Sequence, residues 1–125
     1  MNKLNIGIAP YEDIKRWTLD VAKGLTKPDP NGPKLWFTSL KAAANLFTEE
    51  NQQLLKIIAE QHPQSIAELE RLTHRKASNL SRTLRKLEQY GLVRLVESEG
   101  GGARGRKPVR PELLVDSVNV SLSFL

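Results

Sequence analysis

Residues 65–96 constrain the fold more than any other part of the sequence. Ser65 and Glu68 have the spacing of a capping box, which predicts the start of a short helix. A second, longer helix is predicted over residues 77–90, because its leucines recur at helical spacing and Gly91 favours a helix end. An apolar, strand-like segment follows. We therefore expect a helix, a tight turn, a longer helix and a strand, in that order.

The predicted second helix has two chemically different sides. Its leucines, Leu80, Leu84 and Leu87, fall together when residues are placed at about 100° intervals around the helix. The polar side consists of Ser78, Arg82, Arg85 and Gln89, flanked by Asn79, Lys86 and Ser81. A helix of this kind fits the major groove of DNA, where Arg can bind guanine and Asn can bind adenine.

Positive charge is concentrated in the same region. The chain has a net charge of +5 and a pI of about 9.7. Residues 71–110 contain 11 Lys or Arg and three acidic residues, a net charge of +8, which leaves −3 for the rest of the chain. Local positive charge favours binding to phosphates. A solvated basic surface is the alternative interpretation.

A β-hairpin with a long basic tip is predicted after the second helix. Its strands are residues 92–96 and 109–115, of which the second is weak and expected to be broken by Pro111. The loop between them is rich in glycine and carries three cations, Arg104, Arg106 and Lys107. Such a tip can follow the DNA backbone or enter an adjacent minor groove.

Several motifs of this region resemble those of MarR-like winged helix-turn-helix regulators. They are SIAEL at the start of the first helix, NLSRxLxxLE in the second helix, and YGLV before the hairpin. The wider stretch from WFTSL to GRKP is similar to a group of small prokaryotic DNA-binding transcriptional regulators. The resemblance implies sequence-specific binding to double-stranded DNA by a repressor that needs no cofactor. Some similar proteins are antitoxins, which neutralise a toxin protein and repress their shared operon.

The resemblance also implies roles for individual residues. It assigns base contacts to Ser78, Asn79 and Arg82, phosphate contacts to Ser81, Arg85 and Lys86, and wing contacts to Arg104, Arg106 and Lys107. Three further residues are expected on the same DNA-binding surface, namely Ser65, Arg75 and Lys76. One position departs from the usual pattern, because many such turns carry Gly near His74. Either His74 adopts a left-handed backbone, which costs energy for a residue other than glycine, or the turn is wider.

Both ends of the chain are predicted to form strands. Residues 3–8 and 118–124 alternate apolar and polar side chains. The C-terminal strand needs a partner, and the N-terminal strand of the same chain or of another copy is the candidate. Residues 11–23 are predicted to form an amphipathic helix, and the proline-rich residues 27–34 a loop. Two more helices are expected to follow, capped by Ser39 and Thr48, and the first carries the apolar residues Leu40, Ala43, Ala44 and Phe47.

These features together predict an α+β, mainly helical protein. The expected domains are an N-terminal appendage at residues 1–33, a winged helix-turn-helix domain at 34–115 and a C-terminal strand at 116–125. The expected partners are double-stranded DNA and a second copy of the chain, with a cognate toxin protein as a further possibility. A winged-helix module that binds another protein is the alternative hypothesis, because a fold does not determine a function.

Other classes of function have little support in the sequence. The chain has no cysteine, which excludes disulfides and thiolate sites. Gly100 and Gly105 have the spacing of a phosphate-binding loop, but Arg106 and Lys107 follow where Lys and Ser or Thr are required. No arrangement typical of a catalytic triad or a metal site is present, so we expect no enzyme activity, cofactor or metal. The sequence shows no signal peptide or membrane-spanning run, which favours the cytoplasm.

Overall fold

The computed structural model describes residues 2–97 and 108–124, which form an α+β architecture as predicted. In chain order the elements are β1 (Lys3–Ile8), α1 (Tyr11–Ala22), β2 (Leu35–Phe37), α2 (Leu40–Leu46), α3 (Glu49–Gln61), α4 (Ile66–Thr73), α5 (Ala77–Gln89), β3 (Val93–Glu97), β4 (Val109–Leu113) and β5 (Ser117–Leu122). The predicted loop cations lie outside the described residues; they are Arg104, Arg106 and Lys107.

The elements divide into two compact units. We call Met1–Leu46 together with Asp116–Leu125 the terminal unit, and Phe47–Val115 the central unit. The central unit is one continuous segment, whereas the terminal unit is assembled from both ends of the chain. The domain ranges expected from the sequence stay a prediction; they are 1–33, 34–115 and 116–125.

The terminal unit contains a parallel sheet with the strand order β2-β1-β5 and the helices α1 and α2. The N-terminal and C-terminal strands pair within the same chain over their whole length, with Lys3 opposite Ser117 and Ile8 opposite Leu122. On one face of the sheet, Trp36 covers Gly7, and a Cβ atom added to Gly7 would lie 2.3 Å from the Trp36 ring. Trp17 from α1 packs on this ring at a centroid distance of 5.1 Å.

The opposite face of this sheet is apolar. Ile6, Ile8 and Phe37 are buried there. Strand alternation places Val120, the register partner of Ile6 on β5, on the same face. The helix α2 contributes Ala43 and Leu46 to the buried residues, whereas Leu40 is 55% exposed.

The core of the central unit is built from helices α3, α4 and α5 and from the start of the hairpin. The fully buried side chains are mostly leucine, and all are less than 3% exposed: Leu54, Ile58, Leu69, Leu80, Leu84, Leu87, Leu92 and Val93. Thr48 caps α3 as predicted, because its hydroxyl accepts a hydrogen bond from the Asn51 N–H at 3.2 Å. This core leaves the opposite side of α5 available to solvent.

The predicted β-hairpin is present, but Pro111 does not break its second strand. β3 and β4 pair antiparallel, with Leu95 opposite Pro111. The Leu114 N–H donates to the Leu92 carbonyl at 2.9 Å, so Leu92 and Leu114 form a hydrogen-bonded pair. Along an antiparallel ladder, hydrogen-bonded pairs alternate with pairs that exchange no hydrogen bonds. Pro111 therefore falls in a pair that needs no N–H donor. The proline is tolerated because the missing N–H would point away from β3.

Candidate nucleic-acid interface

The start of α4 is held by the predicted capping box. The Ser65 hydroxyl accepts a hydrogen bond from the Glu68 N–H at 3.0 Å. The Glu68 carboxylate in turn accepts one from the Gln64 N–H at 3.1 Å. The first bond satisfies a backbone donor that the first turn of a helix leaves without an intrahelical partner, and the second ties the residue before the N-cap to the helix. Ser65, which was expected on the DNA-binding surface, is thus a structural cap.

A three-residue turn joins α4 to α5. His74 has a left-handed backbone with φ of 59°, which confirms the first of the two expected possibilities. Its N–H donates to the Glu70 carbonyl at 2.9 Å, and the Arg75 N–H donates to the Thr73 hydroxyl at 3.2 Å. The Glu70 side chain reaches across the turn and accepts the N–H of Ala77 at 3.1 Å. These contacts determine where α5 begins and how it leaves α4.

The two sides of α5 differ as the sequence predicts. The leucine side is fully buried. We define the polar face of α5 as its exposed residues opposite and beside the leucines: Ser78, Asn79, Arg82, Arg85, Lys86 and Gln89. Among the described residues, the charged groups of Arg82, Arg85 and Lys86 have no hydrogen-bond or ion-pair partner. Three cations on one exposed helix surface are therefore available to an anionic ligand.

Arg75 has a different environment from these cations. Its guanidinium is half-buried and donates to the Asn79 side-chain oxygen at 2.9 Å and to the Thr83 hydroxyl at 3.0 Å. A longer contact of 3.5 Å reaches the side-chain oxygen of Asn51 on α3. Arg75 thus links the turn to α3 and α5. Although it was expected to contact DNA, its charged group is used within the protein.

The contact with Arg75 orients the side chain of Asn79. A guanidinium has no acceptor, so the carboxamide must direct its oxygen, and not its nitrogen, toward Arg75. Because Asn79 is exposed, its NH₂ group is left for a ligand. In this orientation the side chain offers hydrogen-bond donors. It suits acceptors such as phosphate oxygens, guanine N7 and O6, or thymine O4.

The other expected contact residues occupy varied positions. Lys76 is the N-cap residue of α5 and is exposed, but its side chain makes no capping hydrogen bond. Ser81 is half-buried, at the edge of the leucine side. Sequence analysis missed the roles of Asn51, Glu70 and Thr83. Asn79 and Thr83 are four residues apart on α5, and this spacing was the signal that they share a side of the helix, to which Arg75 reaches from the turn.

The hairpin carries a small charged cluster on its strands. Arg94 and Glu112 are register partners and form an ion pair, and Arg110 lies 3.3 Å from the same carboxylate. The hydrogen bond from Arg94 holds the pKa of Glu112 below its ordinary value, and Arg110 adds to the effect. These two cations are engaged by Glu112. Of α5 and the two hairpin strands, α5 therefore carries the cations that no described residue pairs with.

The described residues contain no group of three or more His, Cys, Asp or Glu side chains that could hold a metal ion. None of the helices in residues 2–97 and 108–124 combines the length and the apolar composition that crossing a membrane requires.

Comparison with known proteins places the chain in a family without a described activity. No curated protein and no solved structure matches it. The sequence model of the family HVO_A0114 matches residues 46–120, which include the whole central unit and the first part of β5. Because this match covers more than half of the 125 residues, the chain belongs to the HVO_A0114 family.

Proposed function

We propose that the central unit is a winged helix-turn-helix domain that binds double-stranded DNA, and that the protein is a transcriptional repressor. In this proposal α4 and α5 are the helix-turn-helix pair, and β3 and β4 form the wing. The order of the elements, the three-residue turn and the MarR-like motifs support it.

The observation that carries the proposal is the contrast between the two sides of α5. One side holds three fully buried leucines, and the other exposes Arg82, Arg85 and Lys86, whose charges are not neutralised by any described residue. A helix with this division can enter the major groove while its leucines stay in the core. Arg82 lies near the middle of the polar face and would contact a base, whereas Arg85 and Lys86 would contact phosphates.

A binding experiment with matched variants tests the proposal. Duplexes selected by the protein from a random-sequence library provide the specific probe. Arg82→Ala should weaken binding to this probe by about 1–3 kcal/mol if Arg82 contacts a base. Lys41→Ala removes one exposed positive charge from α2, in the terminal unit, and should bind the probe like the wild-type protein. This control separates a specific contact from a general loss of charge.

The predicted wing contacts require a different measurement. Arg106→Ala should weaken binding to every duplex alike, and it should reduce the slope of log affinity against log salt concentration by about one. Selection that enriches no duplex would refute sequence-specific DNA binding and would favour a protein-interaction module. If duplexes are enriched but neither variant changes their retention, the assignment of α5 as the contact helix is wrong.

A further inference from the structure

The two edges of the terminal sheet differ in their capacity to pair with another strand. β2 is only three residues long and is preceded by Pro33 and Lys34, both of which discourage further pairing. β5 spans six residues, contains no charge and no proline, and has only β1 as a neighbour in the described sheet. The β5 edge therefore lacks the features that normally protect an edge strand.

The β5 edge also exposes apolar side chains. Val120 and Leu122 are 48% and 51% exposed, although Ile6 and Ile8, their register partners on β1, are buried. The side chains that bury Ile6 and Ile8 on this sheet face therefore do not cover Val120 and Leu122. An alternating apolar strand with an open edge is typical of a surface that pairs with a further strand.

The backbone direction determines which residues such a partner would meet. The Ser123 N–H donates to the Ile8 carbonyl at 3.0 Å, toward β1. Because backbone groups alternate along a strand, those of Val118, Val120 and Leu122 point to the open edge. The residues with outward backbone groups are thus also the apolar residues of β5.

We propose that the β5 edge pairs antiparallel with the β5 edge of a second copy of this chain, which makes the protein a dimer with a continuous six-stranded sheet. Two-fold symmetry about an axis perpendicular to the sheet places even-numbered residues opposite even-numbered ones, and odd-numbered residues opposite odd-numbered ones. With Val120 opposite its own copy, Val118 faces Leu122, and every outward backbone group finds a partner. The register shifted by two residues toward the N-terminus would instead place Leu122 opposite Asp116, a charge against an apolar side chain, and the register shifted toward the C-terminus would place Val118 opposite Phe124.

Self-pairing also suits the charge of the edge. Residues 117–122 carry no ionisable side chain, so two copies bring no like charges together along the strand. A strand from a different protein would need the same apolar pattern, and nothing in this chain specifies such a partner. The second copy matches it by symmetry.

The first test is the mass of the full-length protein in solution. At micromolar concentrations, sizing chromatography with light scattering should give twice the 14.0 kDa mass of one chain. Val120→Lys places two positive charges opposite each other and should give a monomer with an unchanged circular dichroism spectrum. The control Leu19→Lys adds the same charge at an apolar position of α1 that is 45% exposed, and it should stay dimeric.

A charge-swap mixture tests whether the two copies meet at Val120. Val120→Lys and Val120→Glu should each be monomeric, and an equimolar mixture should restore the dimer because opposite charges then face each other. The register can be tested by cross-linking, because the chain has no cysteine of its own. A mixture of Val118→Cys and Leu122→Cys chains should form a mixed disulfide on mild oxidation, since the Cβ atoms of directly opposite residues lie about 4.5–5.5 Å apart.

Three outcomes would overturn the proposal. If the wild-type protein is a monomer, the β5 edge does not pair with a second copy, and an extended segment of a different protein becomes the candidate partner. A dimer that both lysine variants preserve would place the interface elsewhere. A charge-swap mixture that stays monomeric would show that the two copies do not meet at Val120.

Discussion

Arg75 and Arg82 are separated by only seven residues, but their surroundings give them different roles. The guanidinium of Arg75 is half-buried and donates to Asn79 and Thr83, whereas Arg82 is exposed on the polar face of α5. Removing Arg75 would leave its acceptors without their donor. Arg75→Ala should therefore lower the free energy of unfolding by about 1.5–3 kcal/mol, the range for hydrogen bonds to a charged group. Urea denaturation followed by circular dichroism measures the change.

Arg82→Ala is the matched variant for this measurement. It removes the same side chain from an exposed position, so its free energy of unfolding should change by no more than about 0.5 kcal/mol. The two variants should thus differ in stability, and under the proposed function Arg82→Ala should still lose affinity for DNA. Equal losses of stability would contradict the role assigned to the Arg75 hydrogen bonds.

The backbone of His74 allows a second prediction at the residue scale. Its φ of 59° is unfavourable for a residue with a Cβ atom, and glycine adopts this conformation without strain. His74→Gly should raise the free energy of unfolding by about 0.5–1 kcal/mol, as other improved helix ends do. Gly91→Ala is the reverse change, at φ of 81° with no atom within 4 Å of the added Cβ, and it should lower stability. If His74→Gly is destabilising, the imidazole makes a contribution that its backbone does not explain.

Among the elements, those with local signals were the ones that sequence analysis predicted well. α5 was expected over residues 77–90 and spans Ala77–Gln89, because its leucine repeat and Gly91 lie within one stretch of chain. The parallel pairing of β1 with β5 depends on residues more than 100 positions apart, and alternation alone does not determine strand direction. Pro111 was misjudged for a similar reason. Whether a proline breaks a strand depends on the pairing register, which belongs to both strands of the hairpin.

The ion pairs of the hairpin give a prediction at the element scale. Because Arg94 lowers the pKa of Glu112, the charged form of Glu112 is favoured in the folded state. This contribution to stability is present above the unfolded-state pKa, near 4.5, and is lost as the pH falls through the lower folded-state value. Glu112→Gln should thus lower the melting temperature at pH 7 in low salt, and the difference from the wild-type protein should shrink in acid. Thermal melts from pH 7 to pH 3 measure it.

Glu97→Gln provides the control for this pH series. Glu97 ends β3 and is exposed, and it forms no ion pair with a described residue. Its substitution should therefore lower the neutral-pH melting temperature less than Glu112→Gln does. High salt should also reduce the effect of Glu112→Gln, because exposed ion pairs are screened. An effect that persists unchanged in acid and in high salt would point to packing instead of charge.

The whole molecule combines two units that are connected differently along the chain. The central unit is continuous, so its elements can find each other over short sequence distances. In the terminal unit, β1 and β5 are separated in the sequence by the entire central unit, so their pairing carries the entropic cost of closing a long loop. We therefore expect the terminal unit to open at a lower free energy than the central unit does.

Core variants in each unit test this expectation by native-state hydrogen exchange. Ile6 and Leu84 are both fully buried, one in each unit, so replacement by alanine should cost about 2–5 kcal/mol at either site. Ile6→Ala should accelerate amide exchange in β1, β2 and β5 while the amides of α5 keep their protection, because the central unit can remain folded when the terminal sheet opens. Leu84→Ala should accelerate exchange in α4 and α5 first. If either substitution accelerates exchange equally in both units, the chain unfolds in one cooperative transition, and the two units do not have separate free energies of opening.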